Sequence, residues 1–267
     1  MRLTQQFNLS IINGRIQLTA VWQQERMIHM SEKIQIKGVI FDLDGSLVDS
    51  MWMWKAIDYE FLGTYGISVP AGLTDAIEGM SFTETATYFK ETFCLPLTVD
   101  EIKDIWIRMA YDKYSNEVGF KPEVKAFLDY LHREEIPIGI ATSNSRSLVD
   151  AVLSSLQIDT YFHTVVTACD VNKGKPAPDI YLYAAQAMQR EPEDCLVFED
   201  VPAGIMAGKA AGMRVIAVQD SFSDHVDGQK RRLADGYIHD YSEILSCMED
   251  GGICDWERFK AKEEKGC

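Results

Sequence analysis

Two aspartates stand two residues apart in the run Asp42-Leu43-Asp44-Gly45, directly after a stretch of apolar, β-favouring residues. In a continuing strand both side chains would share a face, and the Gly45 turn is expected to re-aim them. Two carboxylates this close can hardly both be ionised unless a cation lies between them. A hard divalent ion such as Mg2+, which takes oxygen ligands, removes that conflict. The carboxylate on the metal can then attack phosphorus, while the other carries a proton as general acid and base. Asp and Gly are also common turn residues, so the pair alone fits a plain loop equally well.

Three further groups offer matching chemistry. Thr142 follows Ile138-Gly139-Ile140-Ala141, where its hydroxyl and the N–H of Ser143 can hold a phosphoryl oxygen. A helix cap is the competing reading for such a residue, and Ser145 competes for that cap. Lys175 lies in Lys173-Gly174-Lys175-Pro176-Ala177-Pro178-Asp179. Backbone restricted by Gly and Pro pins it, and its ammonium can neutralise a nucleophile and a transferring phosphoryl group. Lys173 competes, and a solvated surface lysine is the bland alternative. Glu199-Asp200 ends an apolar run and precedes Val201-Pro202-Ala203-Gly204, which opens a helix. Those acids suit a metal, or Asp200 merely suits the positive end of the helix.

The elements that carry these groups alternate. Strand-like runs at 34–41, 136–141, 195–198 and 215–218, with weaker ones at 164–167 and 237–238, are separated by amphipathic helical stretches near 122–134, 145–157, 178–189 and 202–211. The pattern predicts an α/β fold: a Rossmann-like, doubly wound parallel sheet with helices on both faces. In such sheets ligands bind at the carboxyl ends of strands, which would gather all the candidate groups in one cleft. Residues 50–118 break the alternation with helical patterns at 50–64, 82–92 and 99–115, rich in Met, Trp and Tyr. They read as an inserted α-helical cap domain, with Gly119-Phe120-Lys121-Pro122 marking the return to a core of 31–49 and 119–247. Trp52, Trp54, Met80 and Phe82 are candidates for its inner, substrate-facing surface, although the cap's own core claims most such side chains.

Composition narrows the class. With 267 residues, 46% hydrophobic and 25% charged, the chain can build a sizeable core. A net charge of −15 argues against nucleic acid, which is held by surplus Lys and Arg. A small phosphorylated metabolite remains admissible, because local cations can reverse the field inside one pocket. No apolar run nears the roughly 20 residues that span a bilayer, so no membrane partner is expected. The six cysteines show no metal spacing and read as free thiols in a reducing cytoplasm. Residues 1–30 are polar and unlike the rest, and read as an extension or as a mis-called start ahead of Met27 or Met30. Residues 248–267 read as a charged tail, a short helix or disordered.

Taken together, the motifs Asp42-Leu43-Asp44-Gly45-Ser46-Leu47-Val48-Asp49-Ser50, Ala141-Thr142-Ser143-Asn144, Gly174-Lys175-Pro176-Ala177-Pro178-Asp179 and Val197-Phe198-Glu199-Asp200 resemble the haloacid dehalogenase (HAD) superfamily, and within it the β-phosphoglucomutase-like branch. Ala203-Gly204-Ile205 and Ala210-Ala211-Gly212-Met213 extend the resemblance, which covers about residues 34–240 in the expected order. The resemblance implies Asp42 as nucleophile and metal ligand, and Asp44 as general acid/base that binds metal through its carbonyl. It implies phosphoryl binding by Thr142 and Lys175, and a Mg2+ site completed by Asp200 with Glu199 nearby.

Departures from the family pattern separate activities. Ser46 stands where Thr or Val is usual, a mild change. The mutases carry an Arg after Gly-x-Ser that grips a second phosphate, whereas here Gly79-Met80-Ser81 is followed by Phe82. A mutase-like His is also missing, with Trp54 near its place. Losing a bidentate phosphate clamp disfavours a doubly phosphorylated intermediate. Family dehalogenases lack the second Asp because a halide leaves without a proton, so Asp44 points to phosphate chemistry. The expectation is a Mg-dependent phosphatase for a sugar phosphate or similar small metabolite. A sugar phosphomutase and a non-catalytic phosphometabolite-binding regulator are the competing readings. A phosphonate hydrolase is a further one, but nothing singles out Lys55 as its cap lysine. The histidines do not cluster and receive no role.

Overall fold

The computed structural model describes residues 9–12, 15–18, 33–77 and 82–256. Six parallel strands form the central sheet: β1 (Gly38–Phe41), β2 (Ile138–Thr142), β3 (Thr164–Thr167), β4 (Cys195–Glu199), β5 (Arg214–Val218) and β6 (Gly236–Ile238). Their spatial order is β6-β5-β4-β1-β2-β3. The order reverses between β1 and β4, the point at which doubly wound sheets open a crevice beyond their strand ends. Asp42, at the end of β1, sits at this reversal.

Side-chain alternation along β1 fixes the two layers. Val39 and Phe41 join one buried cluster and Ile40 the other, as a period of two requires. On the first face Phe41 stacks on Phe198 with ring centres 5.2 Å apart, and Phe127 meets Phe198 edge-on at 5.5 Å. On the second face Ile40, Val197 and Val215 pack with Ile180, Ala184 and Ile205. Strands buried on both faces read as continuous apolar runs, which is how β4 and β5 stand out in sequence.

Helices of the core cover the sheet, and a helical insertion follows β1. It contributes α1 (Met51–Thr64), α2 (Leu73–Ile77), α3 (Phe82–Thr92) and α4 (Val99–Asn116). The core then adds α5 (Val124–Arg133), α6 (Arg146–Ser155), α7 (Asp179–Ala187), α8 (Pro202–Ala210), α9 (Asp227–Leu233) and α10 (Tyr241–Leu245). Thr98 and Glu101 cap α4 reciprocally, satisfying two otherwise orphaned backbone donors. The cap has its own aromatic core: Phe61, Phe89 and Trp106 lie mutually within 4.9–6.3 Å. The chain leaves for the cap at Val48–Asp49 and returns at Gly119–Phe120, and these two segments pair antiparallel.

Two sequence expectations need correction. The expected strand at 34–41 is broken: Lys33–Gln35 leaves the main sheet, and the N–H groups of Ile36 and Lys37 bond to the carbonyls of Gly252 and Asp194 instead. The expected helical or disordered tail supplies strands Met248–Glu249 and Ile253–Asp255, which pair with Lys33–Gln35. Cys254 and Trp256 are buried there, an alternation hidden by the charge-rich composition around them. Within the extension 1–30, Leu9–Ile12 and Arg15–Leu18 form a hairpin; the rest of 1–30, including Met27 and Met30, lies outside the described residues. The five described cysteines are free thiols.

Candidate active site

Asp42 is the first residue beyond β1, and its N–H continues the ladder onto the Phe198 carbonyl at 2.9 Å. Its side chain is buried. The Lys175 ammonium donates to Asp42 Oδ1 at 2.5 Å and to Glu199 Oε1 at 2.6 Å, bridging the ends of β1 and β4. Lys175 precedes Pro176 through a cis peptide bond. Lys173, the competing lysine, is exposed and outside this constellation.

Glu199 is saturated. Oε1 also accepts from the Tyr181 hydroxyl at 2.6 Å, and Oε2 accepts from the backbone N–H groups of Asp200 and Val201. Room for this carboxylate depends on Gly204 in the first turn of α8. A Cβ built there would fall 1.7 Å from Glu199 Oε1.

Asp200 is different. Ser46 donates to its Oδ1 at 3.4 Å, whereas Oδ2 is buried with no partner. A buried carboxylate oxygen left unpaired is costly, so this atom identifies a place where a cation fits. Asp42, Glu199 and Asp200 each bring an oxygen within 4.8 Å of the others. Three buried carboxylates face one ammonium, which leaves two negative charges uncompensated, the charge of one divalent ion. Gly45 completes the cradle: it has φ +79°, and a Cβ would lie 2.3 Å from Asp200 Oδ2.

The charge imbalance appears in the proton affinities. Burial pushes Asp42 up to about 8; Lys175 opposes the shift, and Glu199 and Asp44 add to it. Burial, then Asp42 and Glu199, hold Asp200 well above the usual carboxylate range. For Lys175 burial works against the charge, but Asp42 and Glu199 outweigh it and keep the ammonium protonated.

Asp44 faces away from this cluster. Its Oδ1 accepts from Ser50 Oγ at 2.5 Å and from the Tyr114 hydroxyl, and its Oδ2 accepts from Asn144 Nδ2 at 3.0 Å. Tyr114 comes from the last turn of α4, so a cap side chain reaches into the core site. Asn144 Nδ2 also donates to the Tyr114 hydroxyl at 2.7 Å, and its Oδ1 accepts from Ser145 N–H. Thr142 is buried at the end of β2, with its Oγ1 accepting from Asn144 N–H at 3.0 Å. Ser143 is exposed beside it. Ser145 occupies the N-cap position of α6 but makes no side-chain cap bond.

A cavity of about 350 Å3 opens next to Asp44, between core and cap. Trp54 and Phe82 line it together with Ile107, Leu148 and the 143–145 segment. Trp52 is placed elsewhere: it is half-buried, and its indole N–H donates to the Asp49 carbonyl at 2.8 Å. Met80 lies outside the described residues.

Sequence reasoning missed Tyr114 and Tyr181. A signal existed for Tyr114: Ile102, Trp106, Ala110 and Tyr114 form a buried stripe at four-residue spacing, and a tyrosine ending such a stripe must bring its hydroxyl to a partner. Tyr181, six residues after Lys175, lies on the buried face of α7 beside Ile180 and carried no comparable sign.

A doubly wound sheet with buried acids and a lysine at its switch point, under a helical cap, defines a class of enzyme acting on small anionic ligands. Residues 39–218 match the model of the haloacid dehalogenase-like hydrolase family, and the chain belongs to that family. It is 32% identical to hexitol phosphatase A of Escherichia coli over 223 residues, covering 82% of this chain and 98% of that one. It is 33% identical over 181 residues to the bifunctional riboflavin kinase/FMN phosphatase of Arabidopsis thaliana; that match covers 67% of this chain and spans 48% of the longer relative. Among solved structures, a β-phosphoglucomutase from Clostridium difficile shares the fold, with a TM-score of 0.61 at 21% identity over 77% of this chain and 91% of that one. Among the described residues, no helix is long and apolar enough to cross a membrane.

Proposed function

We propose that this protein is a Mg-dependent phosphatase that hydrolyses a small phosphate monoester through an aspartyl phosphate on Asp42. It is a phosphoric monoester hydrolase of the HAD family. The observation that carries the reading is the pairing of Asp42 with Lys175, beside an Asp200 oxygen that has no partner, while Asp44 faces an open cavity.

Asp42 and Asp200 would hold Mg2+ through side-chain oxygens, with the Asp44 carbonyl as a third protein ligand. Bound there, the ion supplies positive charge that keeps both carboxylates ionised and offsets charge on the phosphoryl oxygens. Glu199, whose four hydrogen bonds are all within the protein, sets the position of Lys175 and of the 200–201 backbone.

In the first half-reaction an Asp42 oxygen attacks phosphorus and the bond to the ester oxygen breaks. Asp44 delivers a proton to the departing alkoxide. Lys175, the Thr142 hydroxyl and the Ser143 N–H hold the equatorial oxygens. In the second half-reaction Asp44 removes a proton from water, which attacks the phosphorus of the aspartyl phosphate and releases orthophosphate with Asp42 restored. Tyr114 and Asn144 hold Asp44 at the mouth of the cavity, where either the alcohol or the water stands. The cap closes over the site, and the paired segments Val48–Asp49 and Gly119–Phe120 form its hinge.

Two features support hydrolysis over phosphoryl transfer within a bisphosphate. Phe82 occupies the cavity wall where the mutase pattern has an arginine. No Lys or Arg lines the cavity among the described residues. The names of the relatives, a hexitol phosphatase and an FMN phosphatase, agree with a small phosphorylated metabolite as substrate. Free thiols fit a cytoplasmic setting.

The test is orthophosphate release from p-nitrophenyl phosphate with and without Mg2+, for the parent and for Asp42→Asn. Turnover should require the metal and vanish in the variant while the melting temperature is kept. Near-parental rates in Asp42→Asn would sink the scheme.

A further inference from the structure

We infer that the alcohol portion of the substrate carries a flat ring, as a nucleoside does, rather than a bare polyol or open sugar. This rests on the phosphatase reading and sharpens it to a substrate class.

The cavity beside Asp44 receives whatever is attached to the phosphate, because Asp44 must reach the ester oxygen. Its volume of about 350 Å3 lies near the lower end for small-molecule sites. Its walls are mostly apolar. Trp54 and Phe82 meet edge-on with ring centres 6.5 Å apart, and Ile107 and Leu148 continue the surface. Phe82 is 38% and Ile107 37% exposed, so the cap leaves two large apolar side chains uncovered where they border this cavity. A flat ring covers such a surface and gains from the aromatic faces.

Few polar groups remain to meet a sugar. Both Asn144 N–H groups are engaged, by Asp44 and by Tyr114, and its carbonyl takes the Ser145 N–H. Ser145 Oγ already lies 3.3 Å from Ser147 Oγ. That leaves the Ser143 hydroxyl and the Trp54 indole N–H as the lining side-chain groups with no partner among the described residues. A polyol brings a hydroxyl on nearly every carbon, and each one pressed against hydrocarbon without a partner loses its hydration uncompensated. A ring with two or three polar edge atoms makes a much smaller demand. A second anionic group finds no basic side chain in the lining among the described residues.

The decisive comparison uses two esters with the same primary alcohol at C5 of ribose: uridine 5′-phosphate and ribose 5-phosphate. The reacting bonds are alike, so the ratio of kcat/KM values reads the pocket. A preference of roughly tenfold or more for the nucleotide is expected, the scale of one aromatic stacking contact. In Phe82→Ala and Trp54→Ala the nucleotide should lose more than ribose 5-phosphate, so that the ratio falls towards one. Ile107→Ala, a smaller truncation, supplies the same reading if either aromatic variant fails to fold. Adding FMN separates a one-ring from a three-ring occupant, and a preference for either over ribose 5-phosphate supports the ring. Equal or better turnover of ribose 5-phosphate or of a hexitol phosphate overturns the inference. So does turnover of a polyol phosphate with no turnover of either nucleotide. If Asp42→Asn still hydrolyses p-nitrophenyl phosphate, the failure belongs to the phosphatase reading instead.

Discussion

The hydroxyl of Tyr114, in the last turn of cap helix α4, donates to a carboxylate oxygen of Asp44 in the core, 70 positions away in the chain. Burial and the Asp44 charge hold the Tyr114 phenol well above its usual range, against the pull of Ser50 and Asn144, so it remains a donor. The proposed proton carrier is therefore positioned partly by the cap. Tyr114→Phe removes one charge-assisted bond, worth about 1.5–3 kcal/mol. The expected outcome depends on the leaving group. For alkyl phosphates, whose alkoxide needs a proton, kcat should fall by about tenfold or more. For 2,4-dinitrophenyl phosphate, whose leaving group departs unaided, the first step should barely change. An equal loss in the rate of that first step on both substrates would show that Tyr114 acts through the fold rather than through Asp44.

Asp42 and Asp200 couple metal binding to pH. Both are held above the usual carboxylate range, Asp42 at about 8, so protons occupy part of the site in the metal-free protein at neutral pH. Mg2+ must displace them. Its apparent affinity should weaken by up to about tenfold per unit as pH falls from 8 to 6, for each proton displaced. The folded chain also holds protons that the unfolded chain has released between about pH 4 and 8. Metal-free stability therefore declines with rising pH across that window, and Mg2+ stabilises more at pH 8 than at pH 6. Calorimetric titration in two buffers of different ionisation heat measures the protons released; a release of zero at pH 7 would contradict the assignment.

Much of this site was legible because its chemistry follows strands directly. Asp42, Thr142 and Glu199 each lie at or just beyond the end of an apolar run, and the parallel order brings those ends together. The rest depended on contacts between distant segments. Nothing local distinguishes Glu199, which spends all four acceptor positions inside the protein, from Asp200, which keeps a free oxygen. Tyr114 reads as one more apolar position on α4 until the fold places its hydroxyl beside Asp44. The strand Ile253–Asp255 was obscured for another reason: three residues are too few for alternation to emerge among charges.

Gly204→Ala tests whether Glu199 supports Lys175. The added Cβ would lie 1.7 Å from Glu199 Oε1, so the carboxylate or α8 must move. Overpacking of this kind costs about 1–3 kcal/mol. Because Glu199 is the second partner of Lys175, activity should fall by more than the loss of folded protein explains. Urea denaturation with parallel kinetics separates the two effects, and parental values in both would mean that Glu199 has room to spare.

Asp58, on α1 one turn after Trp54, is half-buried with no hydrogen-bond partner among the described residues. Burial pushes its carboxyl up to about 7. In the unfolded chain it titrates near 3.8, so the folded state binds the extra proton between about pH 4 and 7. Its effect on stability is neutral below that window and turns unfavourable as pH rises through it, reaching full size above pH 7. Asp58→Asn removes the charge and keeps the shape. The variant should melt higher than the parent at pH 8 and within error of it at pH 4. The difference between variant and parent cancels the contributions of Asp42 and Asp200, which have the same sign. An equal gain at both pH values would trace the effect to packing of the amide and leave the carboxyl of Asp58 with an ordinary proton affinity.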